Sequence, residues 1–222
     1  MQVYKVGFVN IAAAPLVSKL KGSLAIGQTL WLIPGGSNIP LAVEVMRRLD
    51  DSLTQNLTIA LTDERFVPKG HPDSNWQQLL DNGFDPKKAR TIEVLQDDKS
   101  IEDCTSRYDQ LLTEALEDND ATIGQFGMGE DGHIAGILPH SVAASETTST
   151  VIGYNAGEFN RITVSFNGIR KLQTAFLIAF GTNKYEQLDK LIHQNLPLSV
   201  QPAQVIKQVN VSYIYNDQVE VA

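Results

Sequence analysis

Residues 127–133 read Gly127-Met128-Gly129-Glu130-Asp131-Gly132-His133, and this stretch is suited to proton transfer. An imidazole titrates near neutral pH and can take or give a proton at working pH. Asp131 stands two residues before His133, close enough for its carboxylate, or a backbone carbonyl nearby, to orient the ring. Taken alone, the run reads equally well as a glycine-rich turn carrying a surface histidine. Two upstream segments of the same character tip the balance.

The first is Ile33-Pro34-Gly35-Gly36-Ser37-Asn38, an apolar run passing through two glycines toward a helical pattern. Gly35 and Gly36 allow the backbone to approach a ligand closely. The free N–H groups and positive dipole end of a following helix suit a phosphate. Ser37 can donate to an anion. Ser37 or Asn38 can also cap the helix with no ligand present. The turn is neither a Walker A loop nor a dinucleotide fingerprint.

The second is Leu61-Thr62-Asp63-Glu64-Arg65-Phe66-Val67-Pro68, followed by His71-Pro72-Asp73-Ser74-Asn75. Three charged residues in a row just past an apolar run would be costly to bury without a purpose. A solvated loop is the competing reading. Asp73-Ser74-Asn75 is a helix start, and His71 braces the loop before it. Arg161 and Lys184 come later in the chain. Most arginines and lysines are surface residues, so these two carry weight only by converging on the other segments.

Asp63, Glu64, His71, Asp131 and His133 include metal-ligand types, and Asp131 and His133 could share an ion. The spacing matches no zinc pattern such as His-Glu-x-x-His, and there is no cysteine pair. We expect no metal and no cofactor.

The elements that must position these residues are short apolar runs alternating with helical patterns. Val3 to Val9, Thr29 to Ile33, Leu57 to Leu61, Ala121 to Phe126, Phe176 to Phe180 and Val209 to Tyr215 read as strands. Phe176 to Phe180 is apolar throughout, as in a strand covered on both faces. Ile39, Ala42, Val45, Met46 and Leu49 form one apolar helix face, and Tyr185, Leu188, Leu191 and Ile192 another. Such alternation predicts an α/β fold with a Rossmann-like, mostly parallel sheet and helices on both faces. In open sheets of this kind ligands sit at the strand ends, where all three motifs fall. Residues 117–120 read as a solvated acidic turn. Residues 141–160, rich in Ser, Thr and Gly, read as a surface excursion.

Composition excludes several classes. The 222 residues are 42% hydrophobic, enough for a sizeable core, and we read them as one domain over 1–222. A net charge of −8 argues against nucleic acid and against an anionic membrane surface. It does not disfavour a small anionic substrate, which needs only a few local cations. The single cysteine, Cys104, lies on an apolar helical stripe with Ile101, Tyr108, Leu111 and Ala115, as a core thiol would. No apolar run is long enough to span a bilayer, and the N-terminus lacks signal-peptide features. A cytoplasmic protein, monomer or homodimer, is expected.

Together the three motifs resemble the 6-phosphogluconolactonase and glucosamine-6-phosphate deaminase family, from about Ile33 to the C-terminal region. The resemblance implies a phosphorylated sugar lactone as substrate, most closely 6-phosphogluconolactone. It implies His133 as general base, Arg65 stabilising the carbonyl oxygen, and Ser37, Asn38, Arg161 and Lys184 on the phosphate. The chain departs from the lactonase pattern at Asn38-Ile39, where Thr-Pro is usual. It departs again at Ile134-Ala135-Gly136-Ile137-Leu138-Pro139, where Thr-Ala-Ser-Leu-Phe-Pro is usual. The segment before Gly35 is short for the family. Deaminases resemble Gly-His-Ile-Ala-Phe-Asn-Glu-Pro at the second of these places, so Ile134 matches them. Leu138 stands where they carry glutamate. They also carry Asp-Glu-Tyr where this chain has Asp63-Glu64-Arg65. The amino-sugar phosphate reaction, or a non-catalytic sugar-phosphate-binding role, remains the alternative.

Overall fold

A computed structural model describes residues 1–145 and 147–220. In chain order the strands are β1 (Gln2–Lys5), β2 (Thr29–Ile33), β3 (Leu57–Leu61), β4 (Asp63–Arg65), β5 (Arg90–Ile92), β6 (Ala121–Gly127), β7 (Val151–Asn155), β8 (Asn160–Val164), β9 (Thr174–Ala179) and β10 (Val211–Asn216). The α-helices are α1 (Val9–Leu24), α2 (Ile39–Arg48), α3 (Asp51–Thr54), α4 (Asn75–Asp81), α5 (Ile101–Asp118), α6 (Phe166–Arg170) and α7 (Tyr185–His193).

Seven strands form one sheet in the order β1-β10-β9-β6-β2-β3-β5. Every pairing in it is parallel. Every residue of β2, β3 and β9 is buried, which is why these segments are almost wholly apolar rather than alternating. From β2 the chain moves outward to β3 and β5, then returns across β2 to β6 and continues to β9 and β10. Right-handed crossovers in opposite directions put their helices on opposite faces. Thus α1 packs on α2, while α5 packs against β5 on the return path. The reversal between β2 and β6 makes a crevice at their carboxyl ends, where open α/β sheets bind ligands.

Two sequence expectations change and one open choice closes. The first strand ends at Lys5 rather than Val9, because Val9 opens α1. That helix buries Ala12, Ala13, Leu16, Leu20 and Leu24. A fully buried leucine contributes about 2 kcal/mol, so this stripe outweighs the β-rich character of the preceding residues. Residues 141–160 are not a mere surface excursion. They contain β7 and the start of β8, which join β4 in a three-stranded antiparallel sheet. Val151 and Tyr154 are buried there. Gly153, which blurs the strand pattern, lies so close to α5 that a Cβ would sit 2.3 Å from Thr105 Oγ1. Finally, Asp63-Glu64-Arg65 is a strand and not a solvated loop. Cys104 is buried, as its helical spacing predicts.

Candidate active site

The run 127–133 folds as a tight turn off the end of β6. The Gly132 N–H donates to Gly129 O (3.1 Å) and the Gly129 N–H to His133 O (3.0 Å). Gly132 takes φ +84, a left-handed conformation that few other residues adopt cheaply. From outside, the Ala203 N–H donates to Gly132 O at 3.0 Å and fixes the turn. Asp131 Oδ1 accepts from the His133 N–H at 3.1 Å and lies 2.7 Å from His133 Nδ1. Burial raises the cost of ionising Asp131, but the bonds from His133 outweigh it and hold the carboxyl below its ordinary value. An ionised carboxylate can only accept, so Nδ1 carries the proton and the lone pair is left on Nε2. His133 lines the cleft described below, and among the described residues Nε2 has no hydrogen-bond partner.

Gly129 is needed for a different reason. A Cβ there would sit 2.1 Å from His133 Nδ1 and 2.7 Å from Asp131 Oδ1. Gly129→Ala is therefore expected to displace the ring and lower kcat about tenfold, because small misplacements of a catalytic group are costly. Steady-state kinetics checks this, alongside a thermal melt to confirm folding.

The Gly35-Gly36 turn leaves β2 beside this loop. Gly36 has φ +61, and a Cβ on Gly35 would meet Asn75 Oδ1 at 2.3 Å. Neither Ser37 nor Asn38 caps α2 with its side chain, so the competing reading of the turn as plain capping falls. A 3₁₀ turn at Gly36–Asn38 runs straight into α2, so Asn38 has helical dihedrals (φ −94, ψ −5) rather than the extended ones a cap requires. The Asn38 side chain is buried instead, its Nδ2 donating to Ile178 O at 3.3 Å. Its Oδ1 is buried without a partner among the described residues.

The strand β4 separates its three charges by alternation. Asp63 and Arg65 line the cleft. Glu64 faces the other way, onto the start of α4, and is fully buried. It accepts from the N–H groups of Arg65 (2.8 Å), Asn75 (2.6 Å) and Trp76 (3.0 Å), and from Ser74 Oγ (2.9 Å). Burial pushes its carboxyl up to about 6, against the pull of these donors. The purpose of this buried charge is structural: it staples β4 to the first turn of α4. His71 braces the intervening loop, its Nδ1 accepting from the Asp73 N–H at 3.1 Å.

Across the small sheet, Arg65 is paired in register with Arg161. Like charges directly opposite each other destabilise a sheet. Here each is partly compensated, Arg161 by Asp63 (3.4 Å) and Arg65 by Asp73 (3.8 Å). The Arg65 guanidinium also lies 5.1 Å from the Phe159 ring centroid. Lys184 differs. Among the described residues its Nζ makes no salt bridge, and its one hydrogen bond is to Ser37 Oγ at 3.5 Å. Desolvation lowers its pKa, while Glu130 and Asp217 oppose that shift.

These parts enclose a cleft of about 650 Å³. His133, Asp131, Arg65, Gly35, Gly36, Ser37, Asn38, Arg161 and Lys184 all line it, although they come from five separate stretches of chain. Asn75, Glu130 and Asn183 line it too, and the sequence reading passed over them as site residues. Each is adjacent to or inside a motif, but a helix start, a turn carboxylate and a loop amide are ordinary in themselves. Leu138 contributes an apolar wall. Among the described residues no three His, Cys, Asp or Glu side chains converge as a metal site would require.

Residues 8–215 match the family model described as glucosamine-6-phosphate isomerases/6-phosphogluconolactonase. The chain belongs to this family. A 6-phosphogluconolactonase of Streptomyces coelicolor is 29% identical over 193 residues, covering 78% of this chain and 74% of that protein. A solved 6-phosphogluconolactonase from Shewanella baltica superposes with a TM-score of 0.82 at 19% identity, covering 97% of each chain. A solved monomeric glucosamine-6-phosphate deaminase reaches 0.78 at 21% identity, again over 97% of each chain. The fold is thus common to both activities in the family, and the choice between them rests on side chains.

Proposed function

We propose that this chain hydrolyses the ring ester of a phosphorylated sugar lactone, 6-phosphogluconolactone, to the open-chain acid. The observation that carries this reading is His133, with Nδ1 held by Asp131 at 2.7 Å, in a cleft that also holds Arg65, Arg161 and Lys184. The names of the curated relatives support it.

The substrate phosphate lies at Lys184, Ser37 and the Gly35-Gly36 turn. Arg161, which the resemblance implies on the phosphate, is held by Asp63 opposite Arg65, and in this reading it goes with Arg65 at the sugar ring end instead. Nε2 of His133 takes a proton from water as the oxygen adds to the lactone carbonyl carbon. Negative charge develops on the carbonyl oxygen, where Arg65 stabilises it. The bond from that carbon to the ring oxygen then breaks, and the imidazolium returns its proton to the leaving oxygen. Asp131 stabilises the transient imidazolium and keeps Nε2 as the base. No step calls for a cofactor.

The amino-sugar reaction needs a further carboxylate beside the histidine, and the place where the deaminase motif carries it is Leu138. A leucine cannot relay a proton. The test is to incubate the protein separately with freshly generated 6-phosphogluconolactone and with glucosamine 6-phosphate, correcting the first for spontaneous opening. Accelerated lactone opening without ammonia release is expected. Ammonia release at an enzymatic rate with no lactone opening would reverse the assignment, and ligand binding without either would indicate a non-catalytic role.

A further inference from the structure

The anion end of the cleft holds a negative charge of the protein's own. Glu130 stands in the turn after β6, Asn183 in the turn after β9, and the two line the same cleft as Lys184 and Ser37. Glu130 Oε1 accepts a hydrogen bond from Asn183 Nδ2. Asn183 directly precedes Lys184, so this carboxylate occupies a donor at the edge of the seat assigned above to the substrate phosphate. Its field also reaches the Lys184 ammonium. The other cleft cations already have carboxylate partners, Asp63 for Arg161 and Asp73 for Arg65. Lys184 is the cleft cation with no carboxylate in salt-bridge reach among the described residues, and Glu130 is an acid of the same cleft whose charge acts on it. Its side chain is exposed, and Asn183 is the partner its hydrogen bond serves, so packing does not account for its position.

We propose that Glu130 acts as an internal counter-anion that sets how tightly the cleft holds a phosphate. It holds Asn183, its charge acts on Lys184, and it opposes the seating of phosphate. The cleft consequently binds phosphorylated ligands less tightly than its cations alone would allow, which favours release of the phosphorylated product over retention. This inference rests on the phosphate seat of the preceding reading, but not on lactone turnover.

Glu130→Gln tests the charge while keeping an oxygen able to accept from Asn183. Binding of inorganic phosphate is measured by calorimetry near neutral pH, where lysine is charged, for the parent and the variant. Like charges sharing a wet cleft interact modestly, so the variant should bind phosphate about three- to tenfold more tightly. The gain should shrink when salt is raised from about 0.05 M to about 0.5 M, because screening removes an effect of charge but not one of shape. Phosphate binding by the variant alone would also support the proposal. Equal or weaker binding by the variant, no binding by either protein, or a gain indifferent to salt would overturn it. The measurement is independent of chemistry, so a parent protein that binds phosphate but opens no lactone would sink the proposed function and leave this inference standing.

Discussion

His133→Ala should lower kcat for lactone opening by roughly 10²–10⁴-fold, the usual contribution of a positioned general base. KM should change far less, since the ring is placed to take a proton from water and not to anchor the phosphate. His133 is only partly buried and sits in a turn held by backbone bonds from Gly129, Gly132 and Ala203. The variant should therefore fold, and a thermal melt would confirm it. His133→Gln is a useful companion, since it keeps polarity but cannot serve as a base. Near-parent kcat in a folded His133→Ala protein would remove the histidine from the mechanism and leave Asp131 without a partner to orient.

Lys184→Ala should raise KM by roughly 10- to 150-fold while leaving kcat within a few-fold, because charge-assisted hydrogen bonds are each worth about 1.5–3 kcal/mol. The expectation follows from charge accounting. Arg161 and Arg65 are already engaged by carboxylates, whereas Lys184 holds only a long hydrogen bond to Ser37 among the described residues. Added inorganic phosphate should compete with substrate in the parent and lose most of its effect in the variant. Burial also gives this site a pH signature. Desolvation favours the neutral amine and lowers the pKa of Lys184, with Glu130 and Asp217 acting against it. The charge that binds phosphate is present at neutral pH and is lost as pH rises, so KM should begin to climb below the ordinary lysine range. A KM unaltered in Lys184→Ala, or flat across that alkaline limb, would place the phosphate elsewhere.

Much of this architecture is legible in the chain itself. Strands buried on both faces must be apolar without alternation, so β2, β3 and β9 stand out as runs. Helices that cover a sheet must carry a stripe, so α2 and α7 stand out by spacing. A glycine-rich turn after a strand marks a strand end whatever the rest of the fold, and two such ends, at Gly35-Gly36 and at 127–133, are visible. Both α1 and the β7–β8 hairpin were hidden. Local pattern in each was ambiguous, and long-range burial decided it: the alanine and leucine stripe on one, α5 pressing on Gly153 in the other.

The sequence by itself determined the types of group available, one histidine in a glycine-rich turn, arginines and a lysine near turn motifs, and the alternation that sends strand ends to one edge. Only the tertiary structure decided their partners. Side chains meet across β4 and β8, or at the crevice beside β2 and β6, through strand order and register that link positions as far as 147 residues apart. That geometry turned Glu64 inward as a staple while Asp63 and Arg65 faced the cleft. It set Arg65 opposite Arg161, denied Ser37 and Asn38 the cap that their types suggest, and placed Glu130 on Asn183 beside Lys184. Residue type sets what a group can do, but distance and burial set what it does, because charge and hydrogen bonding act over a few ångströms and local sequence does not encode those separations.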